Sequence, residues 1–144
     1  MKKFRFKLQT VLDQRKSRED LLQVELGAIR RDETMELARL ADLHAKLSTT
    51  CSELVRNLPT FQQCRQLDEY AQALRDDIKV QNLTIEAVRE RLEAKRVEVI
   101  EAMKARKVIE ALRDKQEHDY VSALARAEQG ALDEMASLRY ARGM

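Results

Sequence analysis

The 144-residue sequence has one proline, three glycines and no tryptophan, and only 4% of its residues are aromatic. A chain so poor in turn formers has few places to reverse. One so poor in large rings has little with which to fill a globular core, so long elements are expected in place of a compact globule. The two cysteines, Cys51 and Cys64, are too few for a disulfide scaffold, and in a chain without a secretory leader they are expected to be reduced thiols. No run of about 18 apolar residues occurs, so no membrane-spanning helix is expected. The basic start, Met1-Lys2-Lys3-Phe4-Arg5-Phe6-Lys7, lacks the apolar stretch that would follow it in a signal peptide. A surplus of one charge is missing too: 27 basic residues stand against 25 acidic ones. Such a balance gives no broad field to attract nucleic acid or an anionic membrane, so a cytosolic or peripheral protein is expected.

The groups that carry chemistry are equally sparse. His44 and His118 are the only histidines, and neither has a cysteine or second histidine at metal-ligand spacing. Glu117, His118 and Asp119 are adjacent, so on a helix they point in different directions and cannot converge on one ion. Gly27, Gly130 and Gly143 are isolated and form no phosphate-binding loop, and no serine or cysteine sits in a nucleophile motif. No catalytic residue, metal, cofactor or small-molecule substrate is expected. The chain reads as a protein that binds other proteins.

What the sequence has in quantity is charge, 36% of its residues against roughly 25% in an average domain. Leucine, alanine, glutamate, lysine and arginine dominate, as they do in long solvent-bathed helices. From Leu8 onward apolar residues recur at steps of three and four: Leu22, Leu26, Ile29, then Leu40, Leu43, Leu47 and Leu54. That rhythm predicts a coiled-coil seam. Arg15, Glu19, Glu33 and Glu36 occupy seam positions, where they are expected to weaken local pairing. A second seam runs through Leu67, Leu74, Ile78, Ile85, Val88, Leu92, Val99 and Ile109, and Ile78, Ile85, Leu92 and Val99 mark consecutive heptads. Past Leu112 its phase shifts through Gln116 and Tyr120 before it resumes at Leu124, Ala131, Met135 and Leu138. A stutter of this kind predicts local unwinding or loss of the partner helix.

Pro59 separates the two seams. It has no amide hydrogen and pushes Leu58 out of the helical region, while Thr60 with Gln63 reads as a capping box that opens a new helix. The fold class expected is all-α: two long helices forming an antiparallel coiled-coil hairpin with an overhanging C-terminal helix. One helical hairpin spans residues 1–144, with helix one over about 8–57, the turn near 57–61 and helix two over about 61–140. At 1.5 Å per residue the second helix outreaches the first by around 40 Å. Asp42 with Lys46, Glu86 with Arg89 and Glu93 with Arg96 are spaced to pair along the exposed faces. The overhang keeps apolar residues, Leu124, Ala131, Met135 and Leu138, and is expected either to fray or to dock on a partner.

The N-terminal arm alternates Phe4, Phe6 and Leu8 with Arg5 and Lys7. Its rings could pack on the opposing helix, or they could enter a partner while the cations meet an acidic rim. Nucleic acid is a poorer partner, because the basic cluster is short.

The run Phe4-Arg5-Phe6-Lys7-Leu8-Gln9-Thr10-Val11-Leu12 resembles the opening of the FliJ family, the small coiled-coil component of the bacterial flagellar type III export apparatus. Tyr70 with Leu74 and Ile78 is similar to the family's aromatic-x3-Leu-x3-Ile segment after the turn. The stretch Glu101-Ala102-Met103-Lys104-Ala105-Arg106-Lys107-Val108-Ile109-Glu110 resembles its long segment of mixed charge, and Leu132-Asp133-Glu134-Met135 its C-terminal tail. Asp77 and Gln81 depart from the family pattern, which in some members has a small apolar residue and an imidazole there.

The resemblance implies a fold like the two-helix stalk of rotary ATP synthases. The partners it implies are a hexameric flagellar export ATPase, a membrane export gate protein and export chaperones. It places Tyr70 and Leu74 at the gate. The arm, with Phe4 and Phe6, and the overhang, with Leu124, Met135 and Leu138, would face the ATPase. It further implies a cytoplasmic protein held peripherally at the inner membrane through the export apparatus, and a monomer is expected. The rival readings are a coiled-coil scaffold that homodimerises and a holdase-like chaperone with apolar helix tips.

Overall fold

A computed structural model describes residues 3–56 and 60–143. Among them are two long helices packed against each other and no strand: α1, Gln9–Arg56, and α2, Phe61–Gly143. The expected turn at Pro59 lies outside the described residues, as residues 57–59 do. The start of α2 follows from its sequence. Thr60 Oγ1 accepts the Gln63 amide at 3.3 Å and Gln63 Oε1 accepts the Thr60 amide at 3.1 Å, so two amides left over at the helix start are satisfied reciprocally.

Buried and half-buried residues recur along α1 at alternating steps of three and four: Leu12, Arg15, Glu19, Leu22, Leu26, Ile29, Glu33, Glu36, Leu40, Leu43, Leu47, Thr50 and Leu54. Those along α2 do the same from Cys64 to Arg113. Every apolar residue assigned to the two seams between Leu22 and Ile109 is thus withdrawn from solvent. The seam of α2 also takes in Ala71, Gln81, Lys95, Ala102 and Arg106, which no apolar pattern marks.

The chain divides into two compact units. In the first, residues 21–99, Leu26, Ile29, Val88 and Leu92 form the core, with Val99 against it. Three pairs of described residues make polar contacts between the helices. Lys95 Nζ donates to Glu25 at 2.9 Å, Arg89 Nε to Glu33 at 3.3 Å, and Gln81 Nε2 to the Glu36 carbonyl at 2.9 Å. Partner numbers fall on α2 as they rise on α1, so these stretches run antiparallel.

In the other unit, residues 1–20 with 100–144, Phe6, Leu12 and Ile109 are buried together, with Phe4 and Val11 packed against them. Arg106 Nε donates to the Glu19 carboxylate, Arg106 Nη1 to Glu110 at 2.6 Å, and Arg15 Nη1 to the Ala105 carbonyl at 2.7 Å. This pairing is antiparallel as well.

The four charged residues expected to weaken the seam are all engaged. Arg15, Glu19, Glu33 and Glu36 each meet a polar group of α2. Apolar neighbours on a coiled-coil seam are interchangeable at a one-heptad slip, whereas the side-chain pairs Glu19–Arg106, Glu33–Arg89 and Glu36–Gln81 are not, so these three favour one register. Arg89 turns to Glu33 across the helices in place of the expected Glu86, while Asp42–Lys46 and Glu93–Arg96 pair along their own helices as expected.

Past Leu112 the expected unwinding does not occur, because α2 is continuous to Gly143. What fades is burial. Tyr120, Ser122 and Leu124 are half-buried, and every residue from Ala125 to Gly143 is exposed. The helix persists there because alanine, leucine, glutamate, arginine and methionine favour it and because Gln129 bonds Asp133 one turn on at 3.0 Å.

Candidate functional site

Among the described residues no three histidine, cysteine, aspartate or glutamate side chains gather where they could hold a metal ion. No described helix is long and apolar enough to cross a membrane. His44 and His118 are exposed, and Cys51 and Cys64 are half-buried thiols.

In the unit of residues 21–99, Tyr70 and Leu74 are one turn apart on α2 but face different ways. Leu74 is a seam residue with 3% of its surface exposed, and Tyr70 is 48% exposed. Tyr70 shares a shallow groove with Ala45, Lys46 and Thr49 of α1. The Lys46 ammonium is held above the ordinary lysine range, chiefly by its hydrogen bond to Asp42 and in small part by Tyr70. The groove thus carries the Tyr70 ring and the Lys46 ammonium, which is paired with Asp42 at 3.1 Å. Leu74 holds the helix beneath them. Gln81, one of the two departures from the family pattern, is used inside the protein, where it bonds the Glu36 backbone.

In the other unit the two rings of the arm lie against the chain itself. Phe6 is buried with Leu12 and Ile109, and Phe4 is half-buried with its ring centroid 5.8 Å from that of Tyr120 at an interplanar angle of 44°. The rings therefore pack on α2, and the exposed Lys3, Arg5 and Lys7 face water. Period-two alternation of this kind suits an extended backbone, and residues 3–6 are indeed not helical.

Leu124 is half-buried, while Met135 and Leu138 are 51% and 54% exposed. At 100° per residue, Val121, Leu124, Leu132, Met135 and Leu138 fall on one face roughly 120° wide. Glu128 is the only charged residue on that face between positions 121 and 138. Val121 and Leu132, not singled out as site residues in the sequence, belong to this face at 56% and 58% exposure. The three-and-four spacing that linked Leu124, Met135 and Leu138 reaches both of them. Tyr140, 71% exposed, lies off the face. Val55 and Phe61, also missed, are 80% and 86% exposed on either side of residues 57–59. Neither has seam spacing, so no periodic signal could have found them.

The geometry offers a long, unpartnered helical face with mixed-charge flanks in one unit and an aromatic-edged groove in the other. Residues 4–144 match the family model described as "Flagellar FliJ protein". No curated protein and no solved structure matches the chain.

Proposed function

Because the chain belongs to the FliJ family of flagellar protein export components, a non-enzymatic family, we propose that it is a stalk joining a hexameric export ATPase to the membrane export gate. The observation that carries this reading is the bare face of α2. Nineteen consecutive exposed residues, 125 to 143, keep a helix and an apolar stripe that no described residue covers. A single helix is about 10 to 12 Å across with its side chains, thin enough to enter the pore of a ring. Leu124, Leu132, Met135 and Leu138 give it grip, and Arg126, Glu128, Asp133, Glu134 and Arg139 give it polar contacts that can be exchanged as the ring turns over.

In this reading the two helices form one antiparallel hairpin turned near residues 57–61, and the stretch beyond Leu124 overhangs it. The antiparallel order found separately in each unit supports that arrangement. Tyr70 meets the gate, Leu74 fixes its helix from below, and Phe6 anchors the arm. The protein works at the cytoplasmic face of the inner membrane, attached through these partners, and assists the chaperones that bring export substrates.

The test is ATP hydrolysis by the purified export ATPase with each variant added. Leu132→Asp with Met135→Asp changes only exposed side chains, so the fold is kept and stimulation is expected to fall by about tenfold or more, as loss of central apolar anchors does at interfaces. Deleting residues 124–144 is expected to abolish stimulation, and Tyr70→Ala to spare it while weakening gate binding. Full stimulation by the truncated chain would overturn the proposal.

A further inference from the structure

We propose that the N-terminal arm is a displaceable strap, laid over the part of α2 between Ile109 and Tyr120, which a partner must lift in order to extend its hold from the bare C-terminal face. This rests on the reading of that face as the ATPase contact. Around the helix, the seam residues Ile109, Arg113 and Tyr120 lead directly into the sector occupied by Leu124, Met135 and Leu138. The covered and the bare stretches are one continuous stripe. α1 begins only at Gln9, so Phe4 meets Tyr120 from an extended segment and not from a helix.

Three features make this cover removable. The segment of residues 3–6 makes no regular helix or strand, and Gln9 N to Phe6 O at 3.1 Å is the main-chain bond that ties it to α1. Among the described residues two rings of the arm lie against α2, of which Phe4 is only half-buried. Arg113, midway along the covered stretch, has its Nε shielded from solvent without a hydrogen-bond acceptor among the described residues. A dry, unpaired donor is unfavourable, so this stretch holds a group that stabilises the closed state less than a paired donor would. A partner helix adding to the stripe would replace the ring contacts and take the arm's place. The exposed Lys3, Arg5 and Lys7 on the strap's outer side offer an acidic rim on that partner something to pull.

Two variants of the full chain test this. In Phe4→Ala the strap loses its outer ring. Amide exchange over residues 109–124 is expected to accelerate, and affinity for the purified ATPase hexamer to tighten by about tenfold, since the fraction of chains ready to bind rises. The second variant carries Phe4→Cys and Tyr120→Cys, with Cys51→Ser and Cys64→Ser, and is joined by a short bis-maleimide. Linking is expected to weaken hexamer binding by about the same factor, because the strap can no longer lift. Unchanged exchange in Phe4→Ala would overturn the strap. So would weaker binding by Phe4→Ala, which would make Phe4 a direct contact, or undiminished binding by the linked chain. A wild-type chain with no affinity for the hexamer would overturn the ATPase reading, and the exchange measurement would then judge the strap alone.

Discussion

Glu19 is 6% exposed, a position in which a carboxylate is costly without a cation beside it. Arg106 supplies the cation and reaches on to Glu110, so the charge is shared along a three-residue chain. Such groups discriminate between registers more than they stabilise, because apolar residues of similar volume hold a seam as well or better. Glu19→Ala strands Arg106 in the seam and is expected to lower the unfolding midpoint by about 5 °C, whereas Glu19→Leu with Arg106→Leu is expected to recover most of that loss. Thermal unfolding followed by circular dichroism reads both, and equal losses would show that the pair's charge is immaterial. Lys95 behaves differently because it lies between Glu25 and Glu98, of which Glu25 does most to hold its ammonium above the ordinary lysine range. A raised lysine contributes fully at neutral pH and loses its contribution only as pH climbs through the raised value. Leu92 and Ile85 were legible as seam residues because apolar side chains stand out in a sequence this charged. Lys95 and Arg106 were not. A charged residue among so many others carries no mark until the opposing residue is known.

At the scale of the elements, the helices are held by a stripe and not by a core. The cluster of Leu26, Ile29, Val88 and Leu92 has few neighbours to share a disturbance with. Leu92→Asp puts a charge among three aliphatic side chains with no partner, at a cost of about 3 kcal/mol or more, a large part of what a marginal fold possesses. A fall in thermal midpoint with partial loss of helicity is expected, and an unchanged midpoint would show that the seam runs elsewhere. The start of α2 was well marked in the sequence, since Thr60 and Gln63 state their capping role through residue type and spacing alone. The persistence of α2 past Leu112 was not. A stutter in the apolar pattern looks the same whether the helix unwinds or only loses its neighbour, and here local propensity decides for the helix. The arm was half legible. Its alternation predicts one apolar side, but which surface that side covers depends on Ile109 and Tyr120, more than a hundred residues away.

For the whole molecule, the decisive point is that the seams are consumed within one chain. Arg15, Glu19, Glu25, Glu33 and Glu36 of α1 are each matched by a group of α2. Among the exposed apolar side chains, those of the α2 face around Met135 form a continuous stripe, while others, such as Val55, Phe61, Val80 and Val108, stand apart from it. The most direct test of the proposed stalk is its mass in solution, measured by light scattering on an eluting column with and without the purified export ATPase. The account predicts the mass of one chain alone and a shift into the ATPase hexamer's peak on mixing. A dimer in the absence of the ATPase, or a chain that elutes unchanged in its presence, would contradict it.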